Sequence, residues 1–250
     1  MTAEAPQNPI ILIPARLAAT RLPGKPLAEI AGAPMIVHVW RRAVAAEIGP
    51  VVVACGDRAI ADAIEAAGGR AVMTDPVLPT GSDRIHQAIT RLDPDCAHDA
   101  VINVQGDLPF IPPEDLDALA APMRPDTSIV MATIGTPIVD EDEWRNPNVV
   151  KVVCDQRGDA LYFSRSPIPY WRDQAGVPPN ALRHIGVYGY RRDFLLEFAS
   201  WPPSRLEQIE KLEQLRAMER GYRIRVVPSV APSLEIDTPE DLARANAPKS

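Results

Sequence analysis

Short runs of branched apolar residues alternate with longer stretches in which apolar residues recur every three or four positions. The first pattern is typical of buried strands and the second of amphipathic helices. Strands are predicted at 10–13, 51–54, 71–73 and 101–104, and helices at about 34–47, 57–67 and 82–92. This alternation favours an α/β fold whose parallel sheet is covered by helices on both faces.

The pattern after residue 104 is less regular but still contains both element types. Strands are predicted at 129–134, 149–153, 184–190 and 224–227, and helices at about 205–221 and from Thr238 onward. In the strand at 184–190, alternation places Ile185 and Val187 on one side of the sheet. It places His184, Tyr188 and Tyr190 on the other side.

Prolines interrupt the segment between Ser164 and Pro179, so a projecting loop is expected there. No internal repeat, low-complexity tract or clear linker divides the chain. We therefore predict a single domain over residues 1–250, with an excursion from the regular alternation at about 140–190.

The composition excludes several classes of protein. Of the 250 residues, 46% are hydrophobic and 24% are charged, as in soluble globular proteins. The net charge of -7 disfavours a protein that binds nucleic acid through its phosphates. The apolar runs are too short to cross a bilayer. Residues 1–9 lack the positive charge and the apolar stretch of a secretory signal.

Cysteine and histidine usage points away from a metalloenzyme of the zinc type. Cys55, Cys96 and Cys154 are too widely spaced for a Cys-x-x-Cys pair or a disulfide framework. No His-Glu-x-x-His motif is present. A reduced, cytoplasmic protein is therefore expected.

Ligands of an open α/β sheet bind beyond the carboxyl ends of its strands. The loop after the first predicted strand carries Arg16, Arg21 and Lys25. A phosphate-binding loop and an ordinary solvated loop both fit this pattern. It is not a Walker loop, because Ala19 and Pro26 stand where that motif has Gly and Ser or Thr. The Gly-x-Gly-x-x-Gly fingerprint of dinucleotide-binding proteins is also absent.

Acidic residues stand at comparable positions farther along the chain. Asp107 follows the strand at 101–104, and Asp237 precedes the helix that begins at Thr238. Each fits either a metal or hydroxyl ligand or an ordinary turn or helix start. Glu213 is predicted on the apolar face of the helix at 205–221, where it needs either an arginine partner or a ligand. No Gly-x-Ser-x-Gly motif supports an α/β-hydrolase.

A series of motifs runs in order along nearly the whole chain. The first are Ile-Pro-Ala-Arg16, Arg21-Leu-Pro-Gly-Lys25-Pro-Leu, Pro-Met-Ile-Val-His38-Val and Gln105-Gly-Asp107. Next come Asn146-Pro-Asn148-x-Val-Lys151, Leu161-Tyr-Phe-Ser-Arg165 and Arg183-His184-x-Gly-x-Tyr188-Gly-Tyr190. The last are Leu212-Glu213-Gln214-Leu-Arg216 and Asp237-Thr-Pro-Glu-Asp-Leu. Together they resemble the 3-deoxy-manno-octulosonate (Kdo) cytidylyltransferase family.

The resemblance implies a three-layer nucleotidyltransferase-type, Rossmann-like α/β fold with a predominantly parallel sheet, usually as a homodimer. It implies that CTP and Kdo are joined to give CMP-Kdo and pyrophosphate, with Mg²⁺ as cofactor. CMP-Kdo would then supply lipopolysaccharide assembly in the cytoplasm, with neither nucleic acid nor membrane insertion involved. The excursion at about 140–190 would take part in sugar binding and dimerisation.

The resemblance also implies the roles of individual residues. The nucleotide would be bound by Ala15, Arg16, Arg21, Lys25, Ser82 and Arg84. The sugar acid would be bound by Gln105, Arg165, His184, Tyr188, Glu213 and Gln214. Asp107 and Asp237 would coordinate Mg²⁺ and, with Arg16 and Lys25, would form the catalytic set.

The chain departs from the family pattern at Gly56, Leu108 and Glu235, where Asp, Glu and Gly respectively are common. A cytidylyltransferase for 8-amino-Kdo or sialic acid remains an alternative. A sugar-nucleotide-binding module without catalysis is a second alternative, although it would be expected to lack Lys25, Asp107 or Asp237. A dehydrogenase is disfavoured because its glycine fingerprint is missing.

Overall fold

The computed structural model describes residues 6–18, 22–124, 127–231 and 234–247. The strands are β1 (Pro9–Ala15), β2 (Glu29–Ile30), β3 (Ala33–Pro34), β4 (Val51–Cys55), β5 (Arg70–Met73), β6 (Ala100–Asn103), β7 (Met131–Pro137), β8 (Lys151–Cys154), β9 (Ala160–Ser164), β10 (Leu182–Arg191) and β11 (Ile224–Pro228). The helices are α1 (Met35–Val44), α2 (Arg58–Ala66), α3 (Gly81–Leu92), α4 (Pro113–Ala120), α5 (Glu141–Arg145), α6 (Arg192–Ser200), α7 (Arg205–Glu210), α8 (Leu215–Glu219) and α9 (Pro239–Asn246). A short 3-10 helix spans Lys25–Leu27.

The central sheet has the strand order β11-β7-β10-β6-β1-β4-β5. β1 runs parallel to β4 and β6, while β10 runs antiparallel to both β6 and β7. β8 and β9 extend the sheet from β10 as an antiparallel pair. The sheet is therefore mostly parallel, as predicted, and the carboxyl ends of β1, β4 and β6 lie along one edge.

Alternate residues of β1 face opposite layers of the core. Ile11 and Ile13 pack in a cluster with residues of α1, α2 and α4. Ile10 and Leu12 pack in a second cluster with residues of α3, α6 and α8. Burial of each such side chain contributes roughly 1.5–3 kcal/mol relative to exposure. The predicted three-layer arrangement is thus confirmed.

Most of the predicted elements are confirmed, including each strand and helix expected before residue 104. The threonines at two helix starts show why. Thr80 and Thr238 form capping boxes with Asp83 and Asp241, which satisfy amides at the first turns of α3 and α9. The prolines between β9 and β10 have the expected effect, since residues 165–181 form neither helix nor strand. None of the described helices is long and apolar enough to cross a membrane.

The single helix predicted at 205–221 is wrong. The segment forms two short helices, α7 and α8, because Lys211 adopts a left-handed conformation with φ of 55°. Arg216 on α8 reaches back to Glu207 on α7 through contacts of 2.6 and 2.8 Å. This buried pair holds the two helices at the bend, and residues 211–214 become a loop at the edge of the sheet.

Candidate active site

Three charged side chains from distant parts of the chain meet beyond the carboxyl ends of β1 and β6. Nζ of Lys25 donates to Oδ2 of Asp107 at 2.7 Å and to Oδ1 of Asp237 at 2.8 Å. The amide of Ile236 donates to the carbonyl of Asp107 at 3.0 Å, which holds the two acidic segments side by side. Burial opposes the charge of Lys25, but the two carboxylates outweigh it and raise the pKa of the ammonium group.

Glu235 adds a third carboxylate to Asp107 and Asp237. One ligand oxygen from each residue lies within 4.8 Å of the others. Burial, followed by repulsion from the two aspartates, raises the pKa of Glu235 to about 7. Arg183 lies beside it, with Nη2 3.4 Å from Oε2 of Glu235.

The donor set of this carboxylate cluster (Asp107, Glu235 and Asp237) fits a divalent cation. Among the described residues, Oδ1 of Asp107 is buried and has no hydrogen-bond partner. An oxygen in that position requires a cationic or donating ligand to offset its desolvation. Carboxylate oxygens are the ligands that hard ions such as Mg²⁺ prefer.

The first of two adjoining cavities lies beside β1 and has a volume of about 290 Å³. We call it the β1 cavity. Its lining includes Ala15, Arg16, Lys25, Thr80, Gly81, Arg84, Gln105 and Asp107. The cavity is cationic on one wall and is bounded by the start of α3 on another. Backbone amides at a helix start favour an anion.

Arg84 is a buried cation on the wall of the β1 cavity. Its Nη1 donates to Oγ1 of Thr74 at 2.5 Å and to the carbonyl of Asp75 at 3.1 Å. Its Nη2 has no hydrogen-bond partner within the described part of the chain. Burial, and then repulsion from Arg16, lower the pKa of Arg84. Two guanidinium groups held in this way are suited to an anionic ligand.

The second cavity, of about 720 Å³, lies beside β10 and is called the β10 cavity. Its lining includes Asn148, Arg165, Arg183, His184, Tyr188, Glu213, Gln214, Glu235 and Asp237. Gly81, Gln105 and Asp107 line both cavities. The two cavities therefore adjoin at the carboxylate cluster, so two ligands bound in them would meet there.

His184 and Tyr188 lie on one face of β10, as predicted, with ring centroids 5.5 Å apart. Nε2 of His184 lies 2.9 Å from Oγ1 of Thr133, and the ring packs edge-on against Phe163. Burial, followed by the charge of Arg183, lowers the pKa of His184 to about 3. Burial also raises the pKa of Tyr188 well above its usual value. Both groups are therefore neutral near pH 7 and present hydrogen-bonding atoms without charge.

The bend between α7 and α8 directs Glu213 and Gln214 toward the β10 cavity. Glu213 accepts a hydrogen bond from the Ser82 hydroxyl at 2.6 Å and lies 3.4 Å from Nη2 of Arg216. It thus has the arginine partner that sequence reasoning allowed, but it lies in a loop and not on a helical face. Gln214 is buried, and its Nε2 has no partner among the described residues. That amide is available to a ligand in the cavity.

Arg165 follows β9 and lines the same cavity. Its Nε donates to the carbonyl of Glu210 at 2.8 Å, and its Nη1 donates to that of Pro147 at 3.0 Å. These carbonyls hold the guanidinium plane without neutralising its charge. Arg165 can therefore still bind an anionic group of a ligand.

The structure brings together most of the site residues predicted from sequence. Lys25, Asp107 and Asp237 meet at one point, and the six residues predicted to bind sugar line the β10 cavity. Arg21 lies outside the described residues. Ser82 does not line the β1 cavity, because its buried hydroxyl is directed to Glu213.

Sequence reasoning missed two charged residues. Glu235 is next to the Ile236 that precedes Asp237, and in the sequence it is only a departure from the family pattern. Arg183 precedes His184 in the same motif, which does not by itself indicate a role for it. In both cases the signal was a charged residue beside a predicted ligand, which sequence alone does not distinguish from a solvent-facing residue.

Comparison with known proteins agrees with this geometry. The model of the cytidylyltransferase family matches residues 10–224. A 3-deoxy-manno-octulosonate cytidylyltransferase of Rhodospirillum centenum is 54% identical, with 99% of this chain and 95% of that protein covered. The enzyme of the same name from Paramagnetospirillum magneticum is 52% identical, with 96% and 97% covered.

Two solved structures are similar to this one. CMP:2-keto-3-deoxy-manno-octonic acid synthetase in complex with CTP has a TM-score of 0.85 and 42% identity, over 96% of this chain and 97% of that one. A nucleotidyl transferase from Methanothermobacter, at 17% identity and a TM-score of 0.60, shares the fold. The chain therefore belongs to the cytidylyltransferase family, within the group of 3-deoxy-manno-octulosonate cytidylyltransferases.

Proposed function

We propose that this protein transfers CMP from CTP to the anomeric hydroxyl of Kdo, giving CMP-Kdo and pyrophosphate. The observation that carries this proposal is the junction of the two cavities at Gln105 and Asp107. A nucleotide in one cavity and a sugar acid in the other would have their reacting groups beside the carboxylate cluster. Holding both reactants in one geometry removes much of the entropic barrier to reaction.

The β1 cavity would bind CTP. Arg16, Lys25 and Arg84 would neutralise the triphosphate, and the first turn of α3 would offer backbone amides beside Gly81. Arg21 is also proposed to bind the triphosphate, because it belongs to the same sequence motif as Lys25. A triphosphate needs several cations because charge accumulates on its oxygens as pyrophosphate leaves.

The β10 cavity would bind the sugar acid. Arg165 would pair with the carboxylate of Kdo through its remaining N–H donors. The sugar hydroxyls would form hydrogen bonds with neutral side chains, those of His184, Tyr188, Gln105 and Gln214. Glu213, fixed by Ser82 and Arg216, would accept from a sugar hydroxyl.

Asp107 and Asp237 would hold a divalent cation, which we propose to be Mg²⁺, with Glu235 beside them. When bound, such an ion neutralises phosphate oxygens and lowers the pKa of an attacking hydroxyl. Lys25 keeps the two aspartates together before the ion and nucleotide bind. Its ammonium group can then turn to the phosphates, since it is already at the junction of both cavities.

The protein would act in the cytoplasm as a homodimer and would supply CMP-Kdo for lipopolysaccharide assembly. Val139, Leu161 and Tyr170, all in or beside the predicted excursion, are exposed apolar side chains. A contiguous patch of such residues would favour a protein interface. Light scattering during gel filtration tests this part, with a mass of two chains expected and a mass of one chain contradicting it.

The reaction is tested by measuring pyrophosphate release with Mg²⁺ present. We expect release with CTP and Kdo together, and none when either is omitted or when ATP replaces CTP. Parallel reactions with 8-amino-Kdo and sialic acid test the related substrates. Pyrophosphate release with sialic acid but not with Kdo would contradict the proposal. Release from CTP in the absence of any sugar acid would also contradict it.

A further inference from the structure

Lys151 is a buried lysine that none of the roles above uses. It begins β8, where it pairs with Ser164 of β9 on one side and Arg183 of β10 on the other. Its side chain is fully buried. It belongs to the Asn-Pro-Asn-x-Val-Lys motif, of which residues 147–150 line the β10 cavity.

The ammonium group of Lys151 bonds to backbone carbonyls and to no carboxylate among the described residues. Nζ donates to the carbonyls of Asn146 at 2.9 Å, Val149 at 2.6 Å and Arg165 at 2.7 Å. An ammonium has three N–H donors, so its capacity is filled. A buried cation with only neutral partners is costly, and removing it would leave three carbonyls without this donor.

These carbonyls belong to two segments that form one wall of the β10 cavity. One is the loop at 146–149, and the other is the turn after β9 that carries Arg165. The same segments meet a second time where Nη1 of Arg165 donates to the carbonyl of Pro147 at 3.0 Å. Lys151 thus holds the carbonyl of Arg165, whose amide is held by the carboxylate of Glu210. The carbonyls of Pro147 and Glu210 hold its guanidinium group.

We propose that Lys151 is a positioning residue, which holds Arg165 and the 146–149 loop in the geometry that binds the carboxylate of the sugar acid. This inference rests on the proposed function, because it needs a sugar acid in the β10 cavity. Lys151 does not line that cavity and acts through Arg165. Its loss should therefore weaken sugar-acid binding while the β1 cavity keeps its geometry.

The test is a double-mutant cycle with Lys151→Met and Arg165→Met, read as KM for Kdo, KM for CTP and kcat. We expect Lys151→Met to raise KM for Kdo about tenfold or more while KM for CTP changes less than about twofold. In the Arg165→Met background, Lys151→Met should raise KM for Kdo little further, because both substitutions remove the same binding of the carboxylate. Lys151→Gln, which keeps two N–H donors, should lie between wild type and Lys151→Met.

Arg192→Met is the matched control. Arg192 is another largely buried cation, 12% exposed, bonded to the side chain and carbonyl of Asp93 beyond the amino-terminal end of β6. Its loss should lower the melting temperature without changing either KM.

Equal rises in both KM values, additive effects in the cycle, or an unchanged KM for Kdo would overturn the role of Lys151. If Lys151→Met does not fold, the two KM values of Lys151→Gln are compared with those of wild type instead. A wild-type protein that fails to use Kdo would instead contradict the proposed function.

Discussion

Asp107 and Asp237 accept hydrogen bonds from the same ammonium group, that of Lys25, although they are far apart in the sequence. A backbone hydrogen bond from Ile236 to Asp107 joins their segments directly. Two carboxylates this close repel one another unless a cation lies between them. The arrangement is therefore suited to exchange one cation for another as ligands bind.

The two aspartates should be essential for turnover and dispensable for folding. We expect Asp107→Asn and Asp237→Asn each to lower kcat by about 100-fold or more, because each removes charge from the proposed cation site. Melting temperature should fall little. Asp117→Asn, an exposed change on α4, is the control and should leave kcat unchanged. A normal kcat in Asp107→Asn would remove the metal role.

Gly56, one of the departures from the family pattern, lies against Arg84 and gives a second prediction. A Cβ at this position would lie 2.9 Å from Nη1 of Arg84 and 3.3 Å from Cβ of Arg16. Gly56→Ala should displace the Arg84 guanidinium and raise KM for CTP about fivefold, with KM for Kdo unchanged. Gly186→Ala is the control for KM for CTP, because its Cβ would lie in the β10 cavity and meet its nearest neighbour, Gln105, at 3.9 Å. Steady-state kinetics with each substrate varied in turn decide the outcome.

The neutral state of His184 makes stability depend on pH. The pKa of His184 is lowered to about 3 by burial and by Arg183, whereas the unfolded value is near 6.5. The unfolded chain therefore binds a proton that the native protein does not, and stability is lost as pH falls from 6.5 toward 3. The slope from this group is at most about 1.4 kcal/mol per pH unit.

Urea unfolding at pH 7 and pH 5 tests this contribution. Wild type should lose more unfolding free energy than His184→Gln over that interval, by about 2 kcal/mol. Equal losses in the two proteins would show that His184 becomes protonated in the native state.

Glu235 gives a pH dependence of opposite sign in the metal-free protein. Its pKa is raised from 4.5 to about 7 by burial and by the neighbouring aspartates. The native protein then holds a proton that the unfolded chain has lost, so stability in chelator should fall as pH rises through this window. Glu235→Gln should flatten that slope. It should also weaken Mn²⁺ binding measured by calorimetry at pH 8, and unchanged binding would exclude Glu235 from the cation site.

The sequence predicted the part of the fold that depends on local pattern. The strands at β1, β4 and β6 are continuous apolar runs because they are buried on both faces, and Thr80 and Thr238 mark helix starts through their capping boxes. Strand ends in turn indicated the segments that carry Lys25 and Asp107 as candidate ligand sites. Only the resemblance to the family motifs distinguished these residues, as residues of a site, from residues of ordinary turns.

The remaining features depend on tertiary contacts. The bend at Lys211 has no glycine or proline to indicate it, and the buried pair of Arg216 with Glu207 forms only after the chain has turned. The burial of Ser82 against Glu213 follows from that bend. Glu235 joins the carboxylate cluster because Ile236 is fixed to Asp107, a contact that no local pattern encodes.

A crystal structure with Mg²⁺, CTP and 2-deoxy-Kdo, which lacks the attacking hydroxyl, would show whether the two substrates occupy the two cavities. We expect the triphosphate along Arg16 and Lys25, the α-phosphorus beside Asp107, and the sugar carboxylate within hydrogen-bond distance of Arg165. CTP outside the β1 cavity, or the sugar acid away from the β10 cavity, would contradict it.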